Sequence, residues 1–308
     1  MGLLVAGAVV AAGTVPARAQ DDLEVACESA ASRCPIAAAA VRLIHPRVGK
    51  ALWGGNPVPG TASTLGMRIG AYPRISLSAR LNLVPVELPP LLDADDTDGD
   101  GALLTGLAAQ GTIGILNGFS PLPTVGGVLS LDGIARVSWA PLSRGRGFEG
   151  GAWAGSVGLR VGALRESFTL PGVSLTGTWG RSTDVTFGDP EGGTDGWVEG
   201  AISNLAATVA LTKRIARVGI TAGAAWDRYA SDVGLAWATT AGGITTRLDA
   251  EAVTTRRSWF VNASLTSLVF HGSAELGWQE APVPGDLPPS ITLDPPHLWV
   301  GLAFRLSI

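Results

Sequence analysis

The sequence predicts an all-β chain: a single antiparallel transmembrane β-barrel of about twelve strands with a short N-terminal helical segment. Three observations predict it. Apolar and polar residues alternate with the two-residue period of a strand through most of the chain after residue 46. Many of these runs reach nine residues or more, where soluble strands usually have about 5 to 6 and spanning strands need about 9 to 11. Tryptophans gather near strand ends, in the apolar phase, as an interfacial aromatic girdle does.

Composition narrows the function. The 308 residues carry 42 Gly, a net charge of −4, and two Lys against twenty Arg. No basic run with interleaved aromatics occurs, so nothing argues for nucleic-acid binding. The opening MGLLVAGAVVAAGTVPARAQ has an apolar run from Leu3 to Val15 followed by the small-x-small site Ala17-Arg18-Ala19. Residues 1–19 therefore read as a signal peptide, although the positive n-region is missing. Thirteen apolar residues are too few to span a bilayer, and no later run approaches the required ~20.

Residues 20–45 are Ala-rich, begin with acids and suit one or two short helices, forming a cap or plug. Cys27 and Cys34 lie seven residues apart. Along one unbroken helix they would sit about 10 Å apart, beyond disulfide reach, so pairing requires a break, which Pro35 could supply. A disulfide in an oxidising compartment is the expectation, two free thiols the alternative.

The barrel is expected over 46–308, with strands at 47–54, 62–71, 74–87, 104–118, 127–140, 151–163, 173–187, 203–213, 216–228, 256–269, 272–280 and 297–307. Connections alternate in length. Gly70–Pro73, Lys213–Ala216 and Phe270–Gly272 are tight, whereas 88–103, 188–202, 229–255 and 281–296 are long. The segment 164–172 is of middling length on the short side.

Phase decides which face meets lipid. In RISLSARLNLVPVEL, Ile75, Leu77, Ala79, Leu81 and Leu83 share one face, and Arg74, Ser76, Ser78, Arg80 and Asn82 the other. A soluble sandwich would satisfy the same alternation, and a secreted sandwich or propeller is the alternative fold. Two features favour lipid. Trp139, Trp153, Trp226, Trp259 and Trp278 share the apolar phase near the long connections. The polar phase carries Arg68, Arg80, Asp132, Arg136, Arg160, Asp184, Asp227, Glu275 and Arg305, as a wet lumen allows.

These strands, ending on HLWVGLAFRLSI, resemble those of bacterial outer-membrane β-barrel proteins, porins and channels among them. The resemblance implies a Gram-negative cell outer membrane, insertion by the barrel-assembly machinery, and contact with outer-membrane lipids and lipopolysaccharide. In that group the last strand commonly ends on an aromatic residue; here it ends on Ile308, with Phe304 four residues earlier. GGNPVPGTAST at 54–64 and TLPGVSLTGTW at 169–179 are similar in flavour to the long-chain fatty-acid transporter family, which places an N-terminal hatch inside its barrel.

Few motifs carry chemistry. Asp96, Asp98 and Asp100 match the opening of a calcium loop, D-x-D-x-D-G, within 93–101. The closing acid is absent, because Leu107 occupies that position, so a solvated acidic loop competes with a calcium site. His297 could serve as a base for Ser258 at the outer rim, but a surface histidine is the blander reading; His45 precedes a proline after the helical segment, and His271 sits in a tight turn. No cofactor motif occurs. The lumen arginines could bias a path towards anions, or pair with the lumen acids and fill a narrow interior. The expected function is a passive channel or transporter for small, hydrophobic solutes among them. A barrel-embedded lipid-modifying enzyme and a structural or adhesive barrel with a filled lumen are the alternatives.

Overall fold

The computed structural model describes residues 34–66, 73–88, 100–121, 126–188, 196–238, 245–280 and 298–307. The expectations at 1–19, Cys27, Arg68, Asp96, Asp98 and His297 lie outside these residues, as do the side chains of Cys34 and Asp100. Helix α1 (Cys34–Trp53) precedes ten strands, β1 (Ile75–Leu88), β2 (Asp100–Leu116), β3 (Ser130–Ala140), β4 (Ala152–Leu164), β5 (Gly172–Gly188), β6 (Gly196–Ile215), β7 (Val218–Ala238), β8 (Thr245–Ser267), β9 (Phe270–Gln279) and β10 (Leu298–Ser307). Each strand pairs antiparallel with its chain neighbours, and β1 closes on β10, so the strands close into a barrel; among the described strands, the part of β8 before Ser258 pairs with β7 alone. Closure satisfies the backbone without water, which is what a bilayer demands.

The wall follows the alternation. On β1, Ile75 and Leu77 face outward and are exposed, while Ser76, Arg80 and Asn82 face inward and are buried. The same division holds at Val157 and Leu159 against Arg160, and at Val300, Leu302 and Phe304 against Arg305. The exterior is therefore apolar and the charge lies inside, the reverse of a soluble fold.

Two predicted strands are wrong, which reduces twelve to ten. Residues 47–53 belong to α1, which runs through Pro46 instead of ending there. Residues 62–66, the described part of the second, are not strand. The cause is tertiary. Proline in a helix interior costs about 3 kcal/mol. Val41, Ile44, Val48 and Leu52 are buried by the surrounding wall, and at about 1.5 to 3 kcal/mol each their burial exceeds that cost.

Lengths differ too. The predicted long connections 188–202 and 229–255 are largely strand, because β6, β7 and β8 continue to 20, 21 and 23 residues. Spanning takes only about 9 to 11, so these strands stand out beyond the bilayer at the long-connection end. At the other end, Ala216-Arg217 and Leu268-Val269 are two-residue turns whose first residues take left-handed φ of 56° and 54°. Both barrel ends, Ile75 and Ser307, lie at this short-turn end, paired through Ser76↔Ser307.

Candidate functional site

The lumen is the candidate site, and the chain's own residues 34–66 occupy it. Helix α1 enters at the long-connection end and descends to mid-barrel; residues 54–66 continue to the short-turn end and lead into β1. The contacts establish this path. His45 Nδ1 lies 2.7 Å from Ser231 Oγ, high on β7. Asn82 Nδ2 donates to Ala51 O at 3.0 Å halfway down β1. Gly66 N donates to Asp132 near the start of β3.

The inward wall changes character with depth to match. In the outer half, Val84, Val86, Leu88, Val185, Phe187, Val233 and Leu235 face inward and form one dry core with α1. This apolar inner wall was not foreseen, because strict alternation leads one to expect polar residues along the whole lumen. Buried Leu and Val at 84, 86 and 88, following polar 76 to 82 in the same phase, were the available signal. Close approach is built in by glycine. A Cβ at Gly49 would fall on the Tyr229 ring, and one at Gly106 on the Ala51 carbonyl.

At mid-depth, charges on the segment meet charges on the wall. Lys50 Nζ donates to Asp227 Oδ2 at 2.8 Å and Ser258 Oγ at 3.0 Å, and lies 5.7 Å from the Trp299 ring centroid. Glu275 pairs with Arg80 and accepts from the Asn56 backbone N–H at 3.1 Å. Arg136 donates to Trp53 O and Gln110, which in turn donates to Pro57 O. Lower down, Arg160 pairs with Asp132 at 2.6 Å, and Asp132 also accepts from Leu65 N and Gly66 N. Burying a charge is costly unless it is paired and hydrogen-bonded. Lys50 supplies that pairing to Asp227, whereas Glu275 and Asp132 are paired with wall arginines and the segment's amides complete their hydrogen bonds.

The fit leaves little space. Cavities beside α1 measure about 20 Å³ around Lys50, Trp53 and Asp227, and about 10 Å³ around Arg47 and Gln279. Neither holds more than a water. Burial without a charged partner lowers the pKa of His45 to about 4, so its imidazole is neutral at pH 7.

Of the predicted lumen residues, Arg80, Asp132, Arg136, Arg160, Asp227, Glu275 and Arg305 face inward and are buried. Asp184 does not. A β-bulge between Arg181 and Asp184 adds a residue to β5 and reverses its phase, so Asp184 is exposed on the outside near Glu199 and Asp232. Residues missed by sequence reasoning were Lys50, His45, Asn56 and Gln110. Lys50, one of only two lysines, fell in a misread strand. Ser258 is buried against Lys50 inside the lumen.

Trp153, Trp259 and Trp278 are exposed on the exterior, and Trp139 and Trp226 half-buried. Trp139 and Trp153 sit 6.1 Å apart across β3 and β4, and Trp259 and Trp278 4.9 Å apart across β8 and β9. Trp179, also exposed, is a further outward tryptophan that sequence reading omitted.

No protein-family model matches the chain, and no curated protein matches it. Among solved structures it is similar to the translocator domain of the autotransporter NalP from Neisseria meningitidis, at 12% identity over 76% of this chain and 87% of that one, TM-score 0.42. It is also similar to the Pseudomonas putida toluene transporter TodX, at 9% identity over 82% and 96%, TM-score 0.33. A third is the Acinetobacter baumannii outer membrane protein Omp33, at 11% over 76% and 98%, TM-score 0.27. Likenesses this loose say nothing about a role. The closed antiparallel barrel, with its apolar exterior and inward charge, makes this chain a β-barrel of outer-membrane type.

Proposed function

We propose that the chain is a sealed outer-membrane barrel that holds residues 34–66 through its lumen and presents whatever precedes Cys34 at the long-connection, cell-exterior face. One observation carries this reading: the segment runs from the long-connection end to the short-turn end before β1 begins. The apolar inner wall supports a permanent occupant, because seven of its aliphatic and aromatic side chains would otherwise line a water-filled mouth. The role is therefore that of an anchor and display barrel, the filled-lumen alternative, in contact with outer-membrane lipids and without a cofactor. The second reading, a channel for small solutes, needs the segment to move. Its support is the polar lower wall at Arg80, Arg136, Arg160 and Arg305.

The test is an epitope inserted just before Cys34, probed with antibody on intact cells. Surface labelling is expected without permeabilisation. Labelling only after the outer membrane is opened would place that segment in the periplasm and sink the display reading.

A further inference from the structure

The lower lumen carries more buried positive charge than its own carboxylates satisfy. Arg305, on β10, faces inward and is 3% exposed, yet its Nε and Nη1 have no hydrogen-bond partner among the described residues. Its direct cross-strand neighbour on β9 is His271, whose Nδ1 is taken up by Thr266 Oγ1 at 2.9 Å. The charges acting on Arg305 include those of Arg160 and Arg214, both of its own sign. Arg214, the last residue but one of β6, is half-buried at the short-turn mouth, and its Nε is also unpartnered among the described residues.

Two nearby acids among the described residues make hydrogen bonds other than to the guanidinium groups of Arg305 and Arg214. Asp132 serves Arg160 and the amides of Leu65 and Gly66. Glu166 accepts from the Arg214 backbone N–H. Two hydroxyls on the strands that carry His271 and Arg305, Ser273 and Ser307, are likewise buried without partners. Buried guanidinium N–H groups left unmade are costly, and like charges add to that cost. Water could fill a donor's valence but would not offset the charge. A planar guanidinium fork suits the oxygens of a carboxylate or phosphate.

We propose that the short-turn mouth of the lumen is a binding site for a phosphate-type oxyanion, held by Arg305 and Arg214 beside His271. The ligand enters past half-buried Arg214 and stops at Arg305, because Arg160 behind it is already paired with Asp132. The anion stands in for a carboxylate that the wall lacks. It is either free phosphate from the short-turn side or the headgroup of an anionic lipid in the adjacent leaflet. The site is independent of what the N-terminal segment does outside.

The test uses the refolded full chain in zwitterionic detergent, with thermal midpoints read by tryptophan fluorescence. In one arm inorganic phosphate replaces chloride at constant ionic strength. In the other, phosphatidylglycerol is added to the micelles. The wild-type midpoint should rise on the order of 5 °C near saturation in at least one arm, and which arm responds identifies the source. Arg305→Met and Arg214→Gln should lose most of that rise. In chloride alone, Arg305→Met should be no less stable than wild type, since it removes an unpaired buried charge. No rise in either arm, or an equal rise in both variants, overturns the site. If Arg305→Met does not fold, the half-buried Arg214→Gln carries the comparison.

Discussion

Replacing Lys50 by Met tests whether the segment is locked into the wall. The ammonium sits 2.8 Å from Asp227 and 3.0 Å from Ser258, with 2% of its side chain exposed. Met keeps the stem and removes the charge, so Asp227 is left buried without its cation. Breaking one side of a buried pair costs about 3 to 5 kcal/mol. At one power of ten per ~1.4 kcal/mol, the equilibrium for releasing the segment should shift by roughly two to three and a half powers of ten. The assay is urea unfolding followed by tryptophan fluorescence, supported by trypsin sensitivity of the segment. Adding Asp227→Leu to Lys50→Met should recover most of the loss, since the stranded charge is the main cost. An unchanged midpoint for Lys50→Met, or a double variant that simply adds two losses, would refute the buried pairing.

Other expectations follow from the same contacts. The unfolded chain takes up a proton at His45 near pH 6.5, whereas the folded chain does so only near pH 4. Stability should therefore fall as pH drops through that window, by at most about 3 kcal/mol, and His45→Gln should flatten the slope in urea titrations at pH 4.5 to 7. Glu275→Gln, which weakens the hold on Arg80 and on the Asn56 amide, should cost about 2 to 4 kcal/mol in the same assay. Gly106→Ala sets a methyl against the backbone carbonyl of Ala51, which has little freedom to yield; a loss of about 1 to 3 kcal/mol and faster proteolysis of α1 are expected. Leu268→Gly relieves a left-handed φ of 54° in an exposed turn and should raise stability by about 1 kcal/mol.

Much of the barrel could be read from the sequence because period two is a local property. Ile75 to Leu83 announce a strand and its lipid face without reference to any neighbour. The ten wall strands were all anticipated, with ends displaced where β6 to β8 leave the bilayer and lose the need for an apolar exterior. The failures are where distant residues decide. Pro46 is a local stop signal, overridden by a wall more than a hundred residues away in sequence, at Val185, Val233 and Leu235. Asp184 was misplaced by a single extra residue, which no periodicity count detects. Asp132, Asp227 and Glu275 were identified, and their pairing with lumen arginines was one of the two readings, but the part played by Lys50 was not foreseen. Asp227 meets Lys50 across 177 positions, a pairing that only the closed barrel creates.

Single-channel recording of the refolded full chain in a planar bilayer tests the central claim, a lumen filled by residues 34–66, most directly. The account predicts a silent wild-type barrel, inserted but non-conducting, with brief openings appearing in Lys50→Met. Long-lived ohmic steps from the wild-type protein would contradict it.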